Sequence, residues 1–478
     1  MEQQVDGRPP ARQVGPLMTR IPRRGFLAAA TCAIAATRRP WGAFAAPPRR
    51  RPVPSPAQLA WQRDELALFL HFGVNTFTDR EWGDGQEDPA IFAPRALDAR
   101  QWAAAARAAG FRAMILTAKH HDGFCLWPSR TTTHSVARSP WRSGRGDLVR
   151  EFVEACRAEQ LKPGLYLSPW DRHEPSYGDS PRYNDLYAAQ LTELLSEYGP
   201  ISEVWFDGAN GEGPNGRRQV YDWPRVFGLV HRLQPAAVIF SDAGPDIRWI
   251  GNEKGLAAET NWSTMDPAAV PYPGAPGDAV IAALQHGDPA GTVWRPGETD
   301  VSIRPGWFHH PAEDDRVRTP AQLVDLYFTS VGRNSKLLLN VPPTREGLLH
   351  QTDVARIAEM HRRLTGLLAD NFAAGTSPRW RATGTGSATV ELDLGREVTA
   401  GIADLREDIT HGQVVARYSL EGWLGDTWRP LSRGTTIGCR KLDRFEPVAV
   451  RRVRLVIDEA VERPRPITIG LYGPGSGS

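Results

Sequence analysis

The feature that most constrains the fold is a long alternation of short apolar runs with amphipathic helical stretches. It begins near residue 66 and continues to about residue 371. Each run is rich in aliphatic, β-branched or aromatic residues, and this order is typical of parallel βα units. Seven or eight such units predict a (β/α)8 barrel, with irregular later units.

The pattern also locates the individual elements. Predicted helices include 98–110, with an Asp cap and a terminal Gly, and 146–160, with its apolar residues on one face. The other predicted helices are 183–199, 221–235, 319–334 and a last one from about 352 to 371. The predicted strands are 66–77, 111–121, 162–170, 201–209, 236–244, 248–255 and 336–344.

The periodicity of the apolar residues changes beyond about Gly375. Runs of period two, separated by Gly, Asp and Pro turns, replace the helical patterns. About 100 such residues predict a β-sandwich. We therefore place a barrel domain at 55–372 and a β-sandwich domain at 376–474. Trp423 and Trp428 of this second domain either pack inside it or bind sugar.

The first 45 residues resemble a twin-arginine export signal. Arg23 and Arg24 precede a short Ala-rich run from Gly25 to Thr37, and Ala43 and Ala45 supply an A-x-A cleavage site. The run is too short for a membrane anchor. We expect an exported protein, periplasmic or extracellular, with no membrane attachment after the signal is removed.

Charge and cysteine content narrow the functional class. The whole chain has a net charge of +2. Residues 1–45 hold seven Arg against Glu2 and Asp6, or +5, so the remainder is +2 minus +5, or −3. No basic stripe then suggests nucleic acid binding. Cys125, Cys156 and Cys439 remain, an odd number, which excludes a disulfide framework.

Polar residues stand where the predicted strands finish. In a βα barrel the carboxyl ends of the strands surround one pocket, so these residues are expected to converge. One strand reads Val204-Trp205-Phe206 and is followed at once by Asp207 and Gly208. The remaining strand-end candidates are His71, Lys119, His120, His121, Tyr166, Trp170 and Asp242. Taken singly, each is more often a packing or capping residue, but their coincidence at five strand ends favours a functional site.

Several motifs occur together in an order that resembles one enzyme family. They are HFG, Glu81-Trp82, KHHDGF followed by LWPS, GLYLS and VWFDG. Their order and spacing are similar to those of the α-L-fucosidases of glycoside hydrolase family 29, over roughly residues 55–370. The resemblance implies a retaining exo-glycosidase that removes terminal α-L-fucosyl residues from oligosaccharides or glycoconjugates, with no cofactor and no metal.

The resemblance also implies roles for particular residues. Asp207 matches the nucleophile, which would form a glycosyl-enzyme ester. The matching positions that line the fucose pocket are His71, Glu81, Trp82, His120, His121, Tyr166 and Trp205. Trp307, in a Pro/Gly-rich loop, is a further sugar-facing candidate. Arg248 and Glu298 are either pocket residues or structural ion-pair partners.

Two glutamates compete for the role of general acid/base. Glu253 lies in a Gly-flanked loop 46 residues after Asp207, and Glu259 follows six residues later. We favour Glu253, as in the branch of the family that acts on α-1,3/1,4-linked fucose. The alternative for both residues is a solvated loop carboxylate, and this alternative fits Glu259 better than Glu253.

Two other functions compete with hydrolysis by paired carboxylates. A metal-dependent barrel hydrolase would use His71, His120, His121, Asp207 and Asp242 as ligands. Against it, His120 and His121 are adjacent and point to opposite faces if the strand continues through them. The second competitor is a carbohydrate-binding protein that has kept a fucose pocket and lost its chemistry.

Overall fold

The computed structural model describes residues 50–475, and the predicted export signal lies outside that range. The first strand of this region pairs with the tenth, which closes a parallel barrel. The first ten strands are β1 Leu66–Leu70, β2 Ala113–Lys119, β3 Lys162–Leu167, β4 Glu203–Trp205, β5 Val238–Ser241, β6 Ile247–Trp249, β7 Thr264–Met265, β8 Val293–Trp294, β9 Gly297–Ser302 and β10 Ser335–Asn340.

Eight of these described strands form the barrel, in the order β1-β2-β3-β4-β5-β6-β9-β10. All neighbours are parallel, and their residues are buried almost throughout, because helices cover the outside and side chains fill the inside. The predicted barrel is therefore confirmed. Its carboxyl-terminal end is the place where a pocket is expected.

Helices connect most of the strands. They are α1 Pro56–Asp64, α2 Val74–Thr78, α3 Ala99–Ala108, α4 Leu148–Ala158, α5 Ser180–Glu197, α6 Trp223–Leu233, α7 Asp278–His286, α8 Pro320–Thr329 and α9 Gln351–Leu367. Asp98 and Asp147 cap α3 and α4, since each side chain accepts a backbone N–H of the first turn. The apolar face predicted for α4 is buried, including Phe152 and Cys156.

The structure corrects the strand predicted at 66–77. β1 ends at Leu70, and residues 74–78 form the short helix α2. Only the first five residues can pair with β2 and β10, because the chain leaves the barrel at its mouth. The apolar residues beyond the strand pack in the loop layer, where Phe72 and Phe77 contact Phe92.

The later units are irregular, as predicted. Residues 242–246 alone join β5 to β6, with no helix between two parallel neighbours. The long Pro/Gly-rich region after β6 forms a two-stranded antiparallel sheet, β7 with β8, and the helix α7.

The C-terminal domain is an antiparallel β structure with its own core. Its strands in the described region are β11 Arg379–Ala382, β12 Ala388–Arg406, β13 Val415–Leu424, β14 Thr427–Thr435, β15 Lys441–Ala460 and β16 Thr468–Tyr472. The long strands β12 and β15 pair along most of their length and contain bulges, which bend strands. Alternating residues such as Val390 and Leu392 are buried in a core separate from the barrel.

The C-terminal domain contacts the barrel through polar groups. Cys439 N donates to Asn334 Oδ1 at 2.7 Å, and Arg440 Nη1 lies 2.8 Å from Glu65 Oε2. Within residues 50–475, no helix is both long and apolar enough to span a bilayer.

Candidate active site

The predicted site residues meet at the carboxyl-terminal end of the barrel. His71 follows β1, His120 and His121 follow β2, Tyr166 lies in β3 and Trp205 ends β4. Their aromatic rings form a continuous group, with centroids 5.5 Å apart for His71 and His120 and 5.3 Å for Tyr166 and Trp205. The strand ends thus bring together side chains that are up to 134 positions apart in the sequence.

Asp207 stands at the centre of this group. Its Oδ2 accepts a hydrogen bond from the Tyr166 hydroxyl at 3.1 Å and lies 4.0 Å from His121 Nε2. Its Oδ1 accepts the backbone N–H of Ala209 at 2.7 Å. The side chain is 28% exposed, so the carboxylate is oriented by the protein and still reachable by a ligand.

Gly208 allows other parts of the chain to pack closely behind this carboxylate. A Cβ atom at this position would lie 2.5 Å from Asp242 Oδ2 and 3.0 Å from the backbone N of Gly274, so a larger residue would require Asp242 to shift. Asp242, after β5, accepts the N–H of Gly274 and is held beside the pocket. Burial, opposed by this hydrogen bond, raises the pKa of Asp242 to about 6, and the charge of Asp207 adds to the rise.

The three histidines are buried and neutral. Burial lowers the pKa of His71 to about 4 and lowers those of His120 and His121 as well. His71 Nδ1 lies 2.9 Å from Asn340 Oδ1, and Asn340 Nδ2 donates to the Trp307 carbonyl, which fixes the orientation of the amide. His71 Nδ1 therefore carries the proton and leaves Nε2 as an acceptor.

His121 is oriented in the same way. Its Nδ1 lies 2.7 Å from Ser168 Oγ, and the Ser168 hydroxyl donates to the Trp170 carbonyl. His121 Nδ1 is thus the donor, and Nε2 presents a lone pair near Asp207. A ligand hydroxyl lying between these two groups would find two acceptors.

Stacked aromatic rings form the floor of the pocket. Trp205 stacks on Phe240 at 4.0 Å and on Tyr166, while its Nε1 donates to Glu298 Oε2 at 3.1 Å. Burial and the charge of Asp207 raise the pKa of Tyr166 well above its usual value, so the phenol remains a donor. The rings offer an apolar surface to a sugar, with one hydroxyl group at its edge.

The loops after β1 and β9 form one wall. The Trp307 ring lies 5.1 Å from that of His71, and the Trp307 N–H donates to Glu81 Oε2 at 2.8 Å. Trp82 is 58% exposed and makes edge contacts with His121 and Trp170 at the rim. Glu81 therefore holds the Trp307 loop, and Trp82 is a large apolar side chain free to contact a ligand.

The two acid/base candidates lie in different places. Glu253 lies at the pocket with part of its surface open to solvent. Partial burial of the carboxyl group and the charge of Asp207 raise its pKa, and a hydrogen bond with Trp307 opposes the rise. Glu259 lies 2.5 Å from Arg333 Nη2 and 2.6 Å from Lys441 Nζ, an ion-pair group at the contact with the C-terminal domain. Glu253 is the one of the two that shares a pocket with Asp207.

Other candidates from the sequence lie away from the pocket. Lys119 Nζ points behind it, to Asp171 and Gln190, each at 2.9 Å. Arg248 is buried and donates to the Leu284 carbonyl and to Asn261, so it is a structural residue. Glu298 lies below Trp205 in the barrel interior, near Lys336.

Three residues of the site were missed in the sequence. Asn340 orients both His71 and Trp307, Asp300 accepts the indole N–H of Trp249 at 2.8 Å, and His310 contacts Glu81 at 2.6 Å. Asn340 ends the apolar run KLLLN, so the strand-end argument applied to β10 would have found it. Asp300 and His310 follow no pattern that separates them from other loop and strand residues.

A metal site is not formed by these groups. Within residues 50–475, no cluster of three or more His, Cys, Asp or Glu side chains is placed to hold a metal ion.

Comparison with known proteins identifies the family to which this chain is similar. The sequence model of the family described as Alpha-L-fucosidase matches residues 41–365. Alpha-L-fucosidase 1 of Arabidopsis thaliana is 43% identical over 452 residues, covering 88% of this chain and 87% of the plant protein. Both observations concern most of the chain rather than an isolated motif.

Two solved structures have the same architecture. The crystal structure of SpGH29 is 40% identical, with a TM-score of 0.83, and covers 89% of this chain and 99% of that one. A Ruminococcus gnavus GH29 fucosidase in complex with fucose is 32% identical, with a TM-score of 0.80, and covers 90% and 97%. With the barrel, its pocket and these similarities in agreement, the chain belongs to the α-L-fucosidases of glycoside hydrolase family 29.

Proposed function

We propose that this α-L-fucosidase is a retaining exo-enzyme in which Asp207 is the nucleophile and Glu253 the general acid/base. The observation that carries the proposal is the pairing of two carboxyl groups in unlike environments at one pocket. Asp207 accepts hydrogen bonds from Tyr166 and Ala209, which orient the carboxylate that would act as the nucleophile. Glu253 has a raised pKa, as a proton donor needs.

The reaction then proceeds in two steps. Asp207 attacks the anomeric carbon while Glu253 gives its proton to the departing glycosidic oxygen, so a glycosyl-enzyme ester forms. Glu253, now ionised, takes a proton from water, and the resulting hydroxide equivalent cleaves the ester and frees Asp207. The sugar keeps its configuration because the anomeric carbon is displaced twice.

The remaining pocket residues support recognition of a deoxysugar. Neutral His71, His120 and His121 have ring nitrogens for hydroxyl groups, and Glu81 has a carboxylate oxygen with spare capacity. The faces of Trp205 and Trp307 suit the methyl group and the apolar ring edge. A site that pairs its polar groups with ligand hydroxyls discriminates against sugars lacking them.

We further propose that the substrate is a glycan with α-1,3/1,4-linked fucose and that the enzyme is exported. The linkage follows from the branch that the Glu253 spacing resembles, and Trp82 at the rim offers a surface for the rest of the glycan. Export rests on the twin-arginine pattern at Arg23 and Arg24.

One pair of measurements tests the proposal. Purified enzyme is incubated with 3-fucosyllactose, a Lewis trisaccharide and 2′-fucosyllactose, and released L-fucose is identified; release from the first two only is expected. Mass spectrometry after trapping with a 2-fluoro fucosyl donor should locate the adduct on Asp207. A label on another residue would overturn the assignment of the nucleophile.

A further inference from the structure

One carboxylate, that of Glu81, holds the backbone at Trp307 from its N–H side. Glu81 accepts the backbone N–H groups of Trp307, at 2.8 Å, and Phe308, at 3.1 Å, one on each oxygen. The Trp307 carbonyl is held from the other side by Asn340 Nδ2 at 2.8 Å. Because the indole is part of the pocket wall beside His71, any displacement of Glu81 would move that wall.

Glu81 is in turn fixed by His310. The His310 ring lies between two carboxylates, with Nε2 2.6 Å from Glu81 Oε1 and Nδ1 2.8 Å from Asp79 Oδ1. An ionised carboxylate can only accept, so both ring nitrogens must donate, and only the imidazolium form has two N–H groups. The His310 side chain is 15% exposed, so little water can replace these bonds.

We propose that His310 is a positioning residue for fucoside hydrolysis, whose charged bridge from Asp79 to Glu81 holds Trp307 against the bound sugar. This inference rests on the proposed placement of fucose between Trp307 and Asp207. His310 acts through Glu81 and has no role in the chemical steps. Its loss should weaken sugar binding more than it slows turnover of bound substrate.

The bridge makes sugar affinity depend on pH in one direction. Burial lowers the pKa of His310, but hydrogen bonds with Asp79 and Glu81 outweigh it, and the pKa is raised. Asp79 and Glu81, the two charged groups that face the ring, both raise the pKa of His310. The stabilisation is complete below the pKa of a free histidine and is lost as the pH rises through the higher pKa of the folded state. Above that value, one ring nitrogen turns a lone pair toward a carboxylate.

Asp79→Asn is the sharpest test. Asp79 is half exposed and has φ of 61°, a left-handed conformation that asparagine adopts readily, so the variant should fold. The amide oxygen can still accept from Nδ1, and only the charge is removed. The dissociation constant of L-fucose is measured by calorimetry as a function of pH. The alkaline midpoint at which affinity is lost should fall by about one pH unit, because one stabilising carboxylate is gone.

His310→Gln provides the second test, with His231→Gln as the matched control. Glutamine is neutral at every pH and cannot donate to both carboxylates in this way. L-fucose affinity at low pH should fall about tenfold, kcat should change much less, and the His310 contribution to the pH profile should vanish. His231 pairs with Asp246 at 2.9 Å near the opposite end of the barrel, and its replacement should change neither affinity nor profile.

The outcomes separate this inference from the proposed function. If the wild-type enzyme fails to bind L-fucose, the sugar site itself is misplaced. If it binds L-fucose and Asp79→Asn leaves the alkaline midpoint unchanged, the bridge does not position the pocket wall. Wild-type affinity in His310→Gln throughout the pH range would overturn the inference as well. Should His310→Gln fail to fold, the result for Asp79→Asn decides alone.

Discussion

Glu253 and Glu259 are six residues apart in one loop, yet they belong to opposite kinds of environment. Glu253 lies at the mouth of the pocket near Asp207, and its pKa is raised by partial burial and by the nearby negative charge. Glu259 lies at the contact with the C-terminal domain, where Arg333 and Lys441 lower its pKa despite partial burial. The pocket brings like charges together, whereas the domain contact pairs opposite ones.

The same contrast holds for the neighbouring groups. Among residues 50–475, the basic side chain that lies within 4.0 Å of Asp207 is that of His121. Burial lowers its pKa and so favours the neutral ring. At the domain contact, Arg440 pairs with Glu65 and Asp404, each at 2.8 Å, and Arg406 pairs with the same two carboxylates. Carboxylates that lack a fixed cation remain available to a ligand, and paired ones contribute to the fold. Substitutions at the two regions should therefore affect different measurements.

The largest effect is expected for Asp207→Ala. Turnover should fall by about 10⁴-fold or more, because the proposed nucleophile is absent. Thermal unfolding should change little, since the side chain is partly exposed and binds only neutral donors. Azide should restore part of the activity by taking the place of the carboxylate. The exposed Asp185→Ala is the control, and substantial turnover in Asp207→Ala would contradict the assignment.

Glu253→Ala should have the next largest effect, and its size should depend on the leaving group. On a fucosylated oligosaccharide, kcat/KM should fall by about 10² to 10⁴-fold, because the departing oxygen needs a proton. On an aryl fucoside with a good leaving group the first step should be much less affected. Steady-state kinetics on the two substrates measure the difference. Equal losses would indicate a binding role for Glu253.

Arg440→Met should destabilise the protein without changing the pocket. Its guanidinium is almost fully buried and pairs with Glu65 and Asp404, which Arg406 also contacts, so removing it should cost about 1–3 kcal/mol through the hydrogen bonds that are lost. Urea unfolding followed by circular dichroism gives the loss, and KM should stay at the wild-type value. A rise in KM with an unchanged free energy of unfolding would contradict the conclusion that the domain contact serves stability and the pocket serves substrate binding.

Glu259→Gln should have the smallest effect. Its side chain is 60% exposed, and an exposed ion pair contributes only about 0–1 kcal/mol. Activity on the oligosaccharide should remain at the wild-type level, which also makes this variant the control for Glu253→Ala. Loss of turnover in Glu259→Gln with normal turnover in Glu253→Ala would reverse the assignment of the acid.

The sequence was most informative where a local pattern and a tertiary rule coincide. The apolar periodicity of helix α4 and its capping residue Asp147 lie in one continuous stretch of sequence. The helix is found at nearly the predicted bounds. The strand-end rule led to Asp207, His71 and Tyr166 because barrel strands end at one face. The rule also included Lys119, whose side chain lies behind the pocket, since the rule gives the end of a strand and not the direction of each side chain.

The sequence by itself determined the parallel barrel, the separate β domain and a group of polar residues at the strand ends, because hydrophobic periodicity and strand order are encoded locally. Tertiary structure alone decided which glutamate faces Asp207, that Glu81 holds the Trp307 loop, and that His310 bridges Asp79 to Glu81. Those contacts depend on how irregular loops from distant strands pack, and the charge state of each group depends on neighbours that the sequence does not place beside it.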